Sequence, residues 1–246
     1  MFESDFAKRL QSFTSFFKEL LLARWRSLLA LLIGIYLPLQ VFELLALEMR
    51  QNKGGFPWDL SVLRAIHATE QPQLNAFAAT LTNYGTFDTL FPLLLAVALL
   101  LFLRRQWRAL VYWIVTLQGS SIINHTAKVV THRMRPHLWE SFYPHPSDYS
   151  FPSGHAMSSM TLVAAVVILT WGSRWCWFAL IFGSVFAVAI AWTRLYLGVH
   201  FPSDILAGWM VSVAWAMGVS LLLKPNFYKA STATHRLTEP SEDSAI

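Results

Sequence analysis

Apolar residues in this chain fall in long runs, and polar residues gather where those runs end. Six runs stand out: Leu28 to Leu47, Thr89 to Leu103, Ala109 to Val130, Ala156 to Trp171, Trp175 to Trp192 and Asp204 to Leu223. A helix crossing a bilayer needs about 20 mostly apolar residues. Flanks at Phe87–Asp88 and Gly154–His155 extend the two shorter runs. The pattern predicts an all-α fold, an integral membrane helical bundle with six transmembrane helices. Between Glu48 and Thr86 the pattern changes, with Gly54, Gly55, Pro57 and Pro72 as breakers. Leu60, Leu63 and Ile66, and then Leu74, Phe77 and Leu81, keep helical spacing, which predicts two short interfacial helices. Phe2, Phe6, Leu10, Phe13, Phe17 and Leu20 form one apolar stripe, with Lys8, Arg9 and Lys18 off it. That is the pattern of an amphipathic helix lying on a membrane surface. The expected organisation is an amphipathic segment over 1–24, a six-helix membrane domain over 25–224 and a polar, disordered tail over 225–246.

Composition narrows the class. Of 246 residues, 55% are hydrophobic and 13% charged, and the mean hydropathy is +0.44. A soluble domain carries about 25% charged residues, so a water-soluble enzyme, a disordered chain and a coiled coil are all excluded. The net charge of +5 does not point to nucleic acid, because the bases are scattered between apolar runs instead of clustered on one face. With both termini inside, 12 of the 19 Lys and Arg lie on the cytoplasmic side and 7 outside. The turn bearing Arg104, Arg105 and Arg108 is the firmest anchor of that orientation. The expected location is a cell (inner) membrane. The N-terminus mixes acids with bases and lacks the pattern of a cleavable signal peptide. The single cysteine, Cys176, has no partner for an intrachain disulfide.

In so apolar a chain, ionisable residues beside the spans carry the information. They gather from Lys128 to His155 and from Arg194 to Asp204, both on the side that the charge count assigns to the exterior. Lys128 and Arg135 are seven residues apart and so share a helix face. Two cations stacked there repel unless an anion lies between them, although bases at the end of a span also simply reach for headgroups. Pro152 suits a first helical position. Ser153, Gly154 and His155 would then occupy a first turn whose free N–H groups favour an anion. Pro202 likewise places Asp204 in the first turn of the last span. From there its carboxylate can orient His200 and make the far ring nitrogen more nucleophilic. Each pattern alone is also what ordinary helix ends look like. Together they describe a site that holds a tetrahedral oxyanion beside a nucleophile and an acid, as phosphoryl transfer requires.

Lys128 to Pro136 reads K-x6-R-P, Pro152 to His155 reads P-S-G-H, and Arg194 to Asp204 reads R-x5-H-x3-D. These three stretches resemble, in order, the signature motifs of the type 2 phosphatidic acid phosphatase superfamily. The resemblance covers roughly residues 56 to 223. The third motif usually opens with Ser-Arg and here opens with Thr193-Arg194, which keeps a hydroxyl. The resemblance implies that His200 is a nucleophile forming a phosphohistidine and that Asp204 orients it. His155 would protonate the leaving group and then activate water. Lys128, Arg135 and Arg194 would bind the phosphate oxygens, helped by Ser153 and the Gly154 N–H.

It also implies a reaction without a metal or other cofactor. His132, His137 and His145 share the outer loop, but no Cys and no HExxH pattern accompanies them, so a zinc site is not expected. The expected partner is a lipid phosphate in the membrane, with no obligatory protein partner. Phosphatidic acid, phosphatidylglycerol phosphate, undecaprenyl diphosphate and a phosphorylated glycolipid are all candidates. Two other readings stay open: a lipid-to-lipid phosphotransferase on the same scaffold, and a non-catalytic binder or transporter of anionic lipids.

Overall fold

The structure, a computed structural model, describes residues 13–15, 18, 19, 22, 24, 25, 27–51, 55–140, 142–144 and 146–225. Most of the amphipathic segment expected over 1–24, the tail after Pro225, and His145 lie outside the described residues. Among those described there is no strand. The first apolar run forms α1 (Ser27–Gln51), which contains a π-helical stretch at Leu32–Tyr36. Next come α2 (Pro57–His67) and α3 (Pro72–Thr82), each opened by a proline in its first turn, as the breakers predict. A 3-10 turn at Asn83–Gly85 joins α3 to α4 (Phe87–Leu103). The remaining helices are α5 (Trp107–Thr131), α6 (Gly154–Leu169), α7 (Trp175–Tyr196) and α8 (Pro202–Leu223).

Helices thus occupy all six predicted runs. Three of them, α1, α7 and α8, are each long and apolar enough to cross a membrane. The pair Pro72–Gly85 and Phe87–Leu103, bent by 42°, meets the same measure jointly. Length and apolarity therefore support three or four spans and do not by themselves establish six. The cause is visible in the other two helices. α5 carries Ser120, Ser121, Asn124 and Lys128 toward a polar interior, and α6 has only 16 residues, about 24 Å of helix.

At the centre α6 packs against α8 and α7, and α5 closes the bundle on another side. Close approach is possible because the facing positions are small. A Cβ at Gly208 would lie 3.2 Å from Met157 Cγ, and Ala156 and Ala207 are fully buried. α4 lies outside α5, held through Leu90, Leu94, Tyr112 and Trp113, with Trp113 Nε1 donating to the Leu94 carbonyl at 3.1 Å. The outward faces of α4 and α7 expose Leu95, Leu99, Phe178, Phe182 and Val185, as suits contact with lipid. Trp107, Trp171, Trp175 and Trp177 are exposed at the end where α5 and α7 begin and α6 stops. The opposite end gathers the C-termini of α5 and α7 with the N-termini of α6 and α8, and there the three motifs meet.

Candidate active site

Three chain segments form the site, and short hydrogen bonds tie them together. Asn124 Nδ2 donates to the Pro152 carbonyl at 3.0 Å, fastening the P-S-G-H loop to α5. The Ser153 N–H donates to the Asp204 carbonyl at 3.1 Å, fastening the same loop to α8. The Ser150 N–H donates to the Arg133 carbonyl at 2.8 Å. α5 ends at His132, which adopts a left-handed conformation at φ 50°. Arg133 and Arg135 therefore lie beyond the helix, and the shared helical face expected for Lys128 and Arg135 is not what brings them together. The loop folds back and returns Arg135 to the same cavity as Lys128.

That cavity, about 360 Å³, is lined by Lys128, Arg135, Gly154, His155, Arg194 and His200. Its wall continues along α4 and α5 through Phe87, Leu90, Leu94 and Leu117. Of the eight residues singled out from the sequence, the remaining two, Ser153 and Asp204, lie behind the wall and are fully buried. Ser153 is the N-cap of α6, and its Oγ accepts from the Ala156 N–H at 3.5 Å. The helix thus begins two residues later than the proline suggests, because a serine hydroxyl can satisfy a first-turn N–H and a proline cannot. Gly154 is in place as expected: a Cβ there would lie 3.3 Å from Asn124 Oδ1 and 4.0 Å from Lys128 Nζ.

His200 is almost fully buried, and its two ring nitrogens have different partners. Arg135 Nη1 lies 2.9 Å from Nε2, and Asp204 Oδ2 lies 3.3 Å from Nδ1. A guanidinium only donates, so Nε2 accepts and Nδ1 carries the proton toward Asp204. Burial, with the charges of Arg135, Arg194 and Lys128 close by, holds His200 well below the ordinary histidine range. A neutral imidazole keeps a lone pair on Nε2, which becomes a competent nucleophile once the hydrogen bond from Arg135 at the cavity wall is given up. His155 stands in the first turn of α6 and lines the same cavity. Its ring packs against Gly85, where a Cβ would lie 3.1 Å from His155 Cδ2 and 2.6 Å from Ile190 Cγ2.

Arg194 completes the ring of cations. Its Nη1 donates to Thr82 Oγ1 at 2.7 Å, and its buried Nε has no hydrogen-bond partner among the described residues. The unusual Thr193 spends its hydroxyl on the Ile190 carbonyl at 2.6 Å, within its own helix.

Several residues at the site carry no motif in the sequence. Arg133 is buried between the rings of Phe201, at 4.3 Å, and Phe56, at 5.4 Å. It bonds Asp204 Oδ1 at 2.5 Å and Asp59 Oδ2 at 3.1 Å. Asp59, from α2, also accepts from the Ser203 N–H at 2.8 Å and from Ser203 Oγ at 2.6 Å. Ser150 Oγ donates to Asp204 Oδ2. One signal was legible: α2 opens with Phe56-Pro57-Trp58-Asp59 and α8 with Phe201-Pro202-Ser203-Asp204, the same device twice. In each, the aspartate caps its own helix, accepting from the Phe56 N–H at 3.2 Å or the Phe201 N–H at 2.9 Å. Asp148, in the loop before α6, makes ion pairs with Lys128 and Arg135. Burial pushes its carboxyl up, but hydrogen bonds from Lys128 and Arg135 and their charges outweigh this and hold it at about 2.

No cluster of three or more His, Cys, Asp or Glu suited to a metal ion occurs among the described residues. His132 instead packs edge-on against Tyr149 at 4.6 Å.

A sequence profile of the PAP2 superfamily matches residues 109–228, which contain all three motifs. Phosphatidylglycerophosphatase B of Bacillus subtilis is 30% identical over 163 residues, covering 63% of this chain and 78% of that protein. The chain belongs to the PAP2 superfamily. An undecaprenyl-diphosphatase of Sulfolobus acidocaldarius is 29% identical over 201 residues, 80% of this PAP2 chain and 88% of the relative. Among solved structures, the transmembrane phosphatidylglycerolphosphate phosphatase of Bacillus subtilis superposes with a TM-score of 0.66 at 26% identity, covering 77% of this chain and 97% of the other. Aquifex aeolicus LpxE shares the fold, with a TM-score of 0.56 at 23% identity over 68% of this chain and 96% of the other. This PAP2 protein is an integral membrane phosphatase. Asp59 and Thr82 lie outside the matched stretch, so part of the site's support comes from the N-terminal helices.

Proposed function

We propose that this protein hydrolyses the terminal phosphate of a membrane lipid, a phosphate monoester or a diphosphate, through a phosphohistidine on His200. The observation that carries the reading is the position of His200 Nε2, with Arg135 beside it on the cavity side and Asp204 behind the opposite nitrogen. Lys128, Arg135 and Arg194 hold the non-bridging oxygens, with the Gly154 N–H at the start of α6. Nε2 attacks phosphorus, the P–O bond to the lipid breaks, and protonated His155 gives its proton to the leaving oxygen. His155 then takes a proton from water, whose oxygen attacks phosphorus and breaks the P–N bond. Asp204 keeps the Nδ1 proton in place throughout. No step in this scheme calls for a metal ion.

The apolar wall of Phe87, Leu90, Leu94 and Leu117 continues from the phosphate site and suits a substrate whose tail stays in the bilayer. The names of the relatives favour an undecaprenyl diphosphate or phosphatidylglycerol phosphate, and phosphatidic acid has the same terminal group. The charge asymmetry supports six spans with both termini cytoplasmic and the site on the outer face of a cell membrane.

Purified protein should release phosphate from such lipids in the presence of EDTA. Acid-quenched reactions with labelled substrate should leave label on wild-type protein and none on His200→Ala. Strict dependence on an added divalent ion, or label retained by His200→Ala, would sink the mechanism. Label passing to a second lipid without free phosphate would identify a phosphotransferase.

A further inference from the structure

Two of the three cations in the site already hold an anion, and it belongs to the chain. The Asp148 carboxylate receives Lys128 Nζ, and Arg135 Nη2 reaches its other oxygen at 2.5 Å. The Asp148 main-chain carbonyl takes Arg135 Nε at 3.0 Å. The remaining Arg135 nitrogen covers His200 Nε2 at 2.9 Å and the Val199 carbonyl at 2.7 Å. Lys128 and Arg135, which would bind phosphate, are therefore engaged, and the nucleophile is capped. Asp148 nevertheless keeps 51% of its side chain exposed and lies on a loop. Its carboxylate can swing into water without breaking a packed core, whereas Lys128 and Arg135 are nearly buried.

An incoming headgroup must exchange with this carboxylate, so the exchange depends on charge. A phosphodiester carries one negative charge and replaces like with like, gaining little Coulombic energy. A terminal phosphate carries about −1.5 to −2 at pH 7, and a diphosphate carries more, so either gains by the exchange. Singly charged phosphodiesters are abundant in the surrounding bilayer. A cationic pocket without an internal anion would fill with them.

We propose that Asp148 is an internal competitor for the phosphate site, a specificity-determining residue that admits terminal phosphates and diphosphates and turns away phosphodiester headgroups. The lipid part of this inference rests on the phosphatase reading; the anion competition does not.

Full-length protein in detergent micelles tests both parts. Orthovanadate binding, followed by titration calorimetry, needs no turnover. Asp148→Asn and Asp148→Ala should bind it about tenfold more tightly, the equivalent of about 1.4 kcal/mol, and Asp148→Glu should match wild type. In mixed micelles, phosphatidylglycerol should scarcely inhibit wild-type hydrolysis of phosphatidic acid. In Asp148→Asn the inhibition constant for phosphatidylglycerol should fall roughly tenfold, with a lower KM for phosphatidic acid.

Unchanged or weaker vanadate binding in both neutral variants would overturn the inference, and would show that Asp148 only supports its cations. So would wild-type inhibition by phosphatidylglycerol at concentrations near the KM for phosphatidic acid, a measurement that needs no variant. If wild type releases no phosphate from any lipid while vanadate binding tightens in the variants, the phosphatase reading fails and the internal competitor stands. If phosphate release is robust and the vanadate affinities are equal, the phosphatase reading stands and the internal competitor fails.

Discussion

The Arg133 guanidinium lies fully buried between two aromatic rings and two carboxylates, Asp59 and Asp204. It contributes less through net ion-pair energy than by making both carboxylates tolerable in a buried place. Removing one partner of such a network leaves an uncompensated charge, at a cost of about 3–5 kcal/mol. Arg133→Met should lower the thermal midpoint accordingly and reduce kcat, because Asp204 loses the contact that aims it. Adding Asp59→Asn should recover part of the midpoint, since one unpaired charge then disappears. A midpoint unchanged by Arg133→Met would show that the network does not hold the site. At this scale the sequence points to His155, His200, Asp204 and the three cations Lys128, Arg135 and Arg194, because their spacing repeats a known pattern beside helix ends. Arg133, Asp59, Ser150 and Asp148 carry no such spacing. Asp59 and Asp204 are 145 positions apart and meet only through a side chain between them.

Individual elements explain how those side chains are aimed. α6 and α8 both present their first turns to the site, one capped by Ser153 and the other by Asp204. The turn between α3 and α4 supports His155 from the side. Ser158 Oγ donates to the Gly85 carbonyl at 2.7 Å, and a side chain at position 85 would strike Ile190 at 2.6 Å. Gly85→Ala should displace the His155 ring while leaving the cations alone. A misplacement of about 1 Å in a reacting group costs up to about a hundredfold in rate. kcat should therefore fall roughly ten- to a hundredfold, with vanadate affinity nearly constant. Equal losses in both would mean that the turn supports the whole cavity instead of one histidine. The helices themselves are legible from apolar runs and proline positions. The start of α6 is legible only to within two residues, because a serine cap and a proline compete for the same local role. α5 breaks after Thr131, at the left-handed His132, four residues before Pro136 would interrupt a helix.

At the scale of the molecule, the outward-facing helices are apolar and the polar groups are collected inside one end of the bundle. α5 and α6 consequently look less like spans than α1, α7 and α8, although they line half of the cavity. The proposed orientation rests on the bases that stay outside the site, above all Arg104, Arg105 and Arg108. Cys176 is the single cysteine, so Cys176→Ser gives a clean background for topology. In that background, a cysteine introduced at Gln106 should react with a membrane-impermeant maleimide only after the cell membrane is opened. Labelling in intact cells would invert the proposed orientation and place the site inside.

The linear pattern was sufficient for the membrane class, the helical content and the three motifs. Each of these depends on residues close together in the chain: about 20 apolar positions for a span, a proline and a cap for a helix start, four to eleven residues for a motif. Tertiary structure alone decided which charges neutralise which. Charge pairing depends on distance in space, and a loop that reverses after His132 brings Arg133 to Asp59 and Asp204, and Arg135 to Asp148 and His200. The sequence therefore pointed to a phosphate site, and the fold placed a carboxylate of the chain among its cations.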